Sequence, residues 1–214
     1  MRWSKISDAV IRRLPLYLRV LDELAGNGSE TELISSQDLG FRAGVGPALV
    51  RKDLAWFGEF GKQGVGYEVA FLRDELRKIL NLDKEINLAL VGVGSLGRAL
   101  SRYNANRFAN DDSFNLNLVA LFDTDPAKIG TKIGDVQVYD IEELNDLVPK
   151  LQIQMGLITV PAENAQYVAD QLVAAGVKGI LNFAPVKVVV PEHVQIASTD
   201  VTLELQRLAY YLSD

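Results

Sequence analysis

Val91-Gly92-Val93-Gly94-Ser95-Leu96-Gly97-Arg98-Ala99-Leu100 is the stretch on which the fold turns. It lies where an apolar run, INLALVGV, hands over to a helical pattern, SLGRALSRYNANRF. Gly92, Gly94 and Gly97 stand in the G-x-G-x-x-G register. The first glycine permits a tight turn, the second lets backbone approach a pyrophosphate, and the third lets helix and strand pack closely. N–H groups that open such a helix have no partner within it, and the helix dipole favours an anion there. Glycine-rich turns of this kind also occur without a ligand, so the context decides. The next apolar run, LNLVALFD, ends in Asp123, 26 residues after Gly97. An acid at that strand end can bond a ribose 2′-OH and repel a 2′-phosphate. Gly92, Val93, Gly94, Ser95, Leu96, Gly97 and Asp123 therefore read as a dinucleotide site that prefers NAD(H) to NADP(H). Asp125, in FDTDP, is the competing ribose ligand, or simply a turn residue before Pro126.

C-terminal to Asn81-Leu82-Asp83-Lys84, strand and helix patterns alternate, as in a doubly wound parallel α/β sheet of Rossmann type. VQVYD precedes a helix opened by Asp140, MGLITV leads into ENAQYVADQLVAAG, VKGILNF comes next, and VQIAS closes the sheet. Ligands of open α/β sheets lie at the carboxyl ends of the strands. Thr159-Val160-Pro161 and Asn182-Phe183-Ala184-Pro185 occupy such ends, so Thr159, Val160, Pro161, Asn182 and Pro185 are expected beside the nicotinamide half. Ordinary strand-end turns are the alternative. The closing stretch from Asp200 to Leu212 reads as a helix capped by Asp200 and apolar on two sides, which suggests burial in a subunit interface.

N-terminal to the boundary the pattern changes. From Ser7 to Ala25, Ile11, Leu14, Leu18 and Leu21 form one helical stripe. Pro15 either kinks that helix or opens a new one, and Gly26-Asn27-Gly28 stops it. Ser35 to Leu39 makes a good helix start, and Gly40, Gly44 and Gly46 punctuate the chain after it. Pro47 then opens a second helix, PALVRKDLAWF, on which Leu49, Leu54 and Phe57 are expected to pack inward while Ala48, Arg51 and Lys52 share an outer face. A glycine-bearing turn between two such helices is a helix-turn-helix signal. Phe60-Gly61-Lys62-Gln63-Gly64-Val65-Gly66-Tyr67-Glu68-Val69 reads as a β-hairpin, completing the element order of a winged helix, and Phe71 to Leu80 as the helix after it. Ser36, Ala48, Arg51, Lys52, Lys62 and Tyr67 are the candidate DNA contacts, with Lys62 at the wing tip. A small helical domain with an exposed hairpin and no DNA partner is the alternative.

Composition narrows the function classes. The chain has 214 residues, no cysteine and one histidine, His193, in a loop-like segment. Disulfides and thiolate sites are excluded, and little is left for a histidine-based metal centre, so no metal is expected. Residues 1–80 hold 12 basic against 11 acidic side chains, and residues 81–214 hold 10 against 17. The contrast suggests two modules with different partners. No apolar run approaches the roughly 18 residues that span a bilayer. The N-terminus also lacks the pattern of a signal peptide, so the expected compartment is the cytoplasm with no membrane partner.

RLPLYLRVLDEL, SSQDLG, VRKDLAWFGEFGKQGVGYEV, LVGVGSLGRAL, FDTDPAKIG, ITVPAENAQYVAD, AAGVKGILNFAPV and the closing helix resemble, in this order, the Rex family of redox-sensing transcriptional repressors. The likeness runs from about Ile6 to the C-terminus. It implies a homodimer whose winged helix (1–80) binds an inverted-repeat operator and whose Rossmann domain (81–198) binds NAD(H). It also implies a C-terminal helix (199–214) swapped between partners. NADH would be the releasing effector, NAD⁺ its competitor, and anaerobic or fermentative genes the target. Arg19, Tyr103 and Asp200 resemble the polar set that joins DNA-binding domain, cofactor domain and partner helix. The chain departs from the family pattern in the glycine-rich Gly44–Ala48 segment and in Val201, where a larger Phe or Leu often follows the aspartate. The resemblance implies a regulator and not an enzyme. The alternatives are an NAD-dependent dehydrogenase with an N-terminal extension, a CoA- or nucleotide-binding Rossmann protein, and an interaction scaffold. A dehydrogenase usually places an acid or base near the hydride path, and no such constellation stands at a strand end.

Overall fold

The computed structural model describes residues 6–26, 33–62, 64–111 and 114–212. The chain divides between Lys84 and Glu85 into two units, 1–84 and 85–214, each built around its own apolar core. The stop expected at Asn27-Gly28 and the hairpin residue Gln63 lie outside the described residues.

In the first unit the helix expected from Ser7 to Ala25 is two helices, α1 (Asp8–Ile11) and α2 (Leu14–Gly26). Pro15 falls in the first turn of α2, where its missing N–H leaves no helical bond unmade. Leu14, Tyr17, Leu18, Leu21 and Leu24 form the buried face of α2. The break at Arg12-Arg13 takes Ile11 off that stripe and leaves it exposed. Helix α3 (Ser36–Ala43) is capped by Ser35, whose hydroxyl accepts from the Asp38 N–H at 3.0 Å. Gly40, expected as punctuation, lies inside α3. A Cβ there would overlap the Val45 carbonyl and come within 3.2 Å of Val50, so this glycine serves close approach, and the stop falls at Gly44 with φ 68°.

Helix α4 (Pro47–Ala55) opens on Gly46 with no side-chain cap. Its buried stripe is Val50, Asp53 and Leu54, with Phe57 packed against the same core. Leu49, expected inward, lies on the flank and is 39 % exposed. Val50 takes the inward position, because it is Val50 that stands three and four residues from Asp53 and Leu54. The wing is a three-stranded antiparallel sheet in the order β1 (Leu33–Ile34), β3 (Gly66–Glu68), β2 (Gly61–Lys62). The two-residue strand β1 is an addition to the expected hairpin. Helix α5 (Val69–Ile79) comes directly after β3, two residues earlier than expected, and Val69, expected in the hairpin, is its first residue and packs into the core with Leu72 and Leu76.

The second unit is a doubly wound sheet. In chain order it runs β4 (Ile86–Val91), α6 (Ser95–Asn110), β5 (Leu116–Asp123), β6 (Lys132–Ile133), β7 (Val136–Asp140) and α7 (Leu144–Lys150). It continues through β8 (Ile153–Ile158), α8 (Ala162–Ala174), β9 (Gly179–Asn182), β10 (Gln195–Ser198) and α9 (Val201–Ala209). The strand order is β10-β9-β8-β4-β5-β7-β6, parallel except where β6 meets β7. Strand β4 is buried at Ile86 and from Leu88 to Val91, as befits a parallel strand covered on both faces. The order reverses between β4 and β8, the switch point beside which open α/β sheets bind ligands. In register, Val91 pairs with Phe122 on one side and Ile158 on the other. The glycine turn, Asp123 and Thr159 consequently emerge at one end of the sheet.

Candidate dinucleotide and nucleic-acid sites

Gly92 leaves β4 with φ 101°, a region side chains rarely adopt, and a Cβ there would meet the Thr159 carbonyl at 2.8 Å and Val160 at 2.7 Å. Gly97 is buried in the first turn of α6, and a Cβ on it would overlap the Gly92 carbonyl oxygen. Both glycines are thus demanded by the protein's own packing. Gly94 is different. Its backbone is extended (φ −80°, ψ −164°), and a Cβ on it would meet nothing within 4 Å. Neither strain nor crowding calls for glycine there, whereas a pyrophosphate laid against the backbone would. No side chain caps the N-terminus of α6, and Gly94, Ser95 and Leu96 are exposed, so the opening N–H groups are available to an anion. Val93, by contrast, is buried and contributes its N–H to Asp123.

Asp123 is 9 % exposed. Its carboxylate accepts from the Val93 N–H at 2.7 Å, the Asp125 N–H at 2.9 Å and the Lys128 ammonium at 3.1 Å. Burial pushes this carboxyl up, but those bonds prevail and hold it below the ordinary carboxylate range. Lys128 is held above its ordinary value by the same pair, with Asp125 3.5 Å away. The sequence reading missed Lys128; a cation following two acids in the turn Asp123–Lys128 was the available signal. Asp125 turns back to accept the Ala127 N–H at 3.0 Å, the turn role considered for it.

At the end of β8, the Thr159 hydroxyl donates to the Gly92 carbonyl at 2.7 Å and its N–H to the Val91 carbonyl at 2.9 Å, pinning the glycine turn from the neighbouring strand. Pro161 precedes α8 and is exposed. Asn182, placed beside the nicotinamide by position, is fully buried. Its amide nitrogen donates to Ala184 and Val186 carbonyls at 3.1 and 2.9 Å, and its amide oxygen accepts the Ala184 N–H at 2.9 Å. The carboxamide thus shapes the Asn182–Val186 turn and leaves Pro185 exposed at its edge. Tyr103 lies on α6, and its hydroxyl accepts from Arg107 at 3.2 Å. Asp200 caps α9 by accepting the Thr202 N–H at 2.9 Å. Arg19, on α2 of the first unit, is exposed.

In the first unit Ser36, Arg51, Lys62 and Tyr67 line one cleft of about 790 Å³ between the helix pair and the wing. Arg51 donates to the Ser36 hydroxyl at 2.8 Å, tying α4 to the start of α3. Burial pushes the Tyr67 phenol up, partly offset by the Arg51 charge. Ala48 and Lys52 are exposed on α4 but do not line this cleft. Below them lies a cluster that the sequence reading missed. Asp53, 1 % exposed, accepts two bonds from Arg13 at 2.6 and 2.7 Å and one from the Tyr17 hydroxyl at 2.7 Å. An acid in register with the apolar stripe Val50–Leu54 was the signal that it is buried. The cluster fastens α4 to α2, with burial pushing the carboxyl up and the Arg13 and Tyr17 bonds pulling it below its ordinary range.

Comparison with known proteins bears on both units. A family described as "CoA binding domain" matches residues 83–186, and one described as "Putative DNA-binding protein N-terminus" matches residues 5–55. The chain is 48 % identical over 210 residues to the redox-sensing transcriptional repressor Rex of Brevibacillus brevis, covering 98 % of each chain. The chain belongs to the Rex family. It is likewise 47 % identical over 206 residues to Rex of Chloroflexus aurantiacus, covering 96 % of this chain and 94 % of that one. Among solved structures, RSP in complex with β-NAD⁺ and operator DNA matches with a TM-score of 0.88 at 42 % identity, covering 98 % of this chain and 93 % of that one. RSP in complex with β-NADH matches with a TM-score of 0.83 at 39 % identity, covering 98 % and 95 %. These relatives are named as redox-sensing transcriptional repressors, regulators and not enzymes. Among the described residues, no helix is long and apolar enough to cross a membrane.

Proposed function

We propose that this chain is a cytoplasmic NADH/NAD⁺-responsive transcriptional repressor that binds an inverted-repeat operator as a homodimer. It leaves the operator when NADH fills the glycine cradle, and genes of anaerobic or fermentative metabolism are then expressed. The reading rests on the full-length match to Rex repressors, which embraces both the wing cleft and the open backbone at Gly94.

Gly92 to Gly97 would hold the pyrophosphate, Asp123 the adenosine ribose, and Thr159, Val160, Pro161 and Pro185 the walls near the nicotinamide, with Asn182 shaping its turn. Bound NAD(H) supplies a redox-dependent charge at the nicotinamide, and the chain supplies the discrimination. Lys62 and Arg51 meet phosphate or base edges from the cleft, and Lys52 and Ala48 do so from the outer face of α4. Val201, Leu205 and Leu208 on α9 are more than half exposed, as are Tyr210 and Tyr211 beyond it. So large an apolar surface favours burial against a second copy, which supports the swapped helix. Arg19, Tyr103 and Asp200 would then couple wing, cofactor unit and partner helix.

The release is a population shift between two dimer arrangements. NADH must bind the DNA-incompetent arrangement more tightly, because equal affinity would shift nothing. Linkage then requires that operator DNA weaken NADH binding by the same factor. Fluorescence anisotropy of a labelled inverted-repeat operator, titrated with protein at fixed salt, tests the reading. Tight binding abolished by excess NADH and spared by NAD⁺ is expected. Specific binding indifferent to both nucleotides would refute the redox switch, and the absence of any sequence-specific binding would refute the repressor.

A further inference from the structure

The first turn of the recognition helix carries no polar side chain. Gly46 caps α4 without a side-chain bond, and Pro47, Ala48, Leu49 and Val50 come next. Arg51 is the first residue able to hydrogen-bond a base edge, and one of its guanidinium nitrogens donates to the Ser36 hydroxyl at 2.8 Å. Yet residues of this turn are the ones a helix-turn-helix presents to base edges in the major groove. Pro47, Ala48 and Leu49 are all exposed there, and Leu49 keeps 39 % of its surface in solvent while Val50 beside it is fully buried. Lys52, one turn further on, and Lys62 on the wing are exposed cations that suit a phosphate-lined partner. The major groove offers an apolar side chain one recognisable feature, the C5-methyl group of thymine.

We infer that Leu49, with Ala48 beside it, is a specificity-determining residue that reads thymine methyl groups in each operator half-site. The inference rests on the DNA-binding reading and deepens it: sequence is selected in this turn by apolar contact, while Arg51, Lys52 and Lys62 contribute position and affinity. A leucine left in water on this face becomes useful only when the groove closes over it.

Thymine-to-deoxyuridine substitution removes that methyl and leaves every hydrogen-bonding group of the base pair in place. The probe is an inverted-repeat duplex recovered by the full-length protein from random-sequence DNA, re-synthesised with each thymine replaced in turn. For the wild-type chain, at least one symmetry-related thymine pair is expected to show a loss of about fourfold per half-site, the worth of one buried methyl group, or on the order of fifteenfold across both. In Leu49→Ala that sensitivity disappears while the other positions keep theirs, and Leu49→Met retains it. Tryptophan fluorescence during urea unfolding, which follows the unit that carries Leu49, keeps the wild-type cooperative transition in both variants, which shows that this unit is folded. A wild-type profile with no methyl-sensitive thymine overturns the inference, as does a Leu49→Ala profile identical to wild type. If no sequence is selected at all, the DNA-binding reading falls and takes this one with it, a result distinguishable because the unsubstituted duplex itself would not bind.

Discussion

Replacing Asp53 by alanine removes the acceptor at the centre of a buried cluster. The carboxylate, 1 % exposed, takes two Arg13 bonds at 2.6 and 2.7 Å and the Tyr17 hydroxyl at 2.7 Å. Removing one partner of a buried ion pair costs about 3–5 kcal/mol, because the surviving charge is left uncompensated. Folding stability of small domains is on the order of 5–15 kcal/mol, so a unit of this size loses a large share of it. Both tryptophans, at positions 3 and 56, belong to residues 1–84. Tryptophan fluorescence during urea unfolding therefore reports on the winged-helix unit alone, and Asp53→Ala should lower its midpoint sharply while the Rossmann unit, followed by NADH binding, is untouched. Asp53→Leu combined with Arg13→Met and Tyr17→Phe should regain most of the loss, since no unpaired polar group then remains. The pH dependence has a definite sign. The folded-state carboxyl lies below its ordinary range, so its contribution is complete above about pH 4 and is lost as the pH falls through the folded value. Asp53→Ala should lack that part of the acid slope. A stability within about 1 kcal/mol of wild type, taken from midpoint and urea slope together, or an unchanged acid slope, would refute the account of this cluster.

Substitutions at Gly94 and Gly97 should separate ligand approach from packing. Gly94→Ala meets open space on extended backbone and should leave thermal stability within about 0.5 kcal/mol, yet weaken NADH binding at least tenfold in a fluorescence titration. Gly97→Ala, whose Cβ would overlap the Gly92 carbonyl, should lower both the melting temperature and the affinity. Asn182→Leu takes the partner from the Val186 carbonyl and the Ala184 N–H, while the Ala184 carbonyl keeps the Val186 N–H at 2.7 Å, for a loss of about 3 kcal/mol in calorimetry. Truncation after Thr199 removes the exposed apolar helix α9 and should turn a dimer into a monomer in sedimentation equilibrium, with operator affinity falling in parallel.

Much of the architecture is legible in the sequence because it is written in local terms. A glycine at positive φ between a strand and a helix, an apolar run long enough to cross a buried sheet, a serine before a helix and a glycine-rich hairpin each act through their immediate neighbours. The positions of Gly92, Gly97, Thr159 and Asp123 at one sheet end come from alternation and from the rule for strand ends. The two-residue strands β1 and β6 escape, since so short a segment has no period to read.

The order of the two units, the cradle at the end of β4 and the apolar character of the last helix are all present in the chain before it folds. Which side chains of each element face a partner is settled by packing. Packing puts Val50 and not Leu49 against the core, and it buries Asp53 where Arg13 and Tyr17 arrive from 40 and 36 residues away. It also turns the Asn182 amide into its own loop and sets Lys128 on Asp123. Periodicity defines a helix face to within about one residue's rotation, roughly 100°, so a leucine and a valine side by side on α4 exchange roles through small changes in how helices meet. Hydrogen-bond partners distant in sequence leave no local trace at all, because the charge that makes Asp53 look like a surface residue is compensated only once the helices have come together.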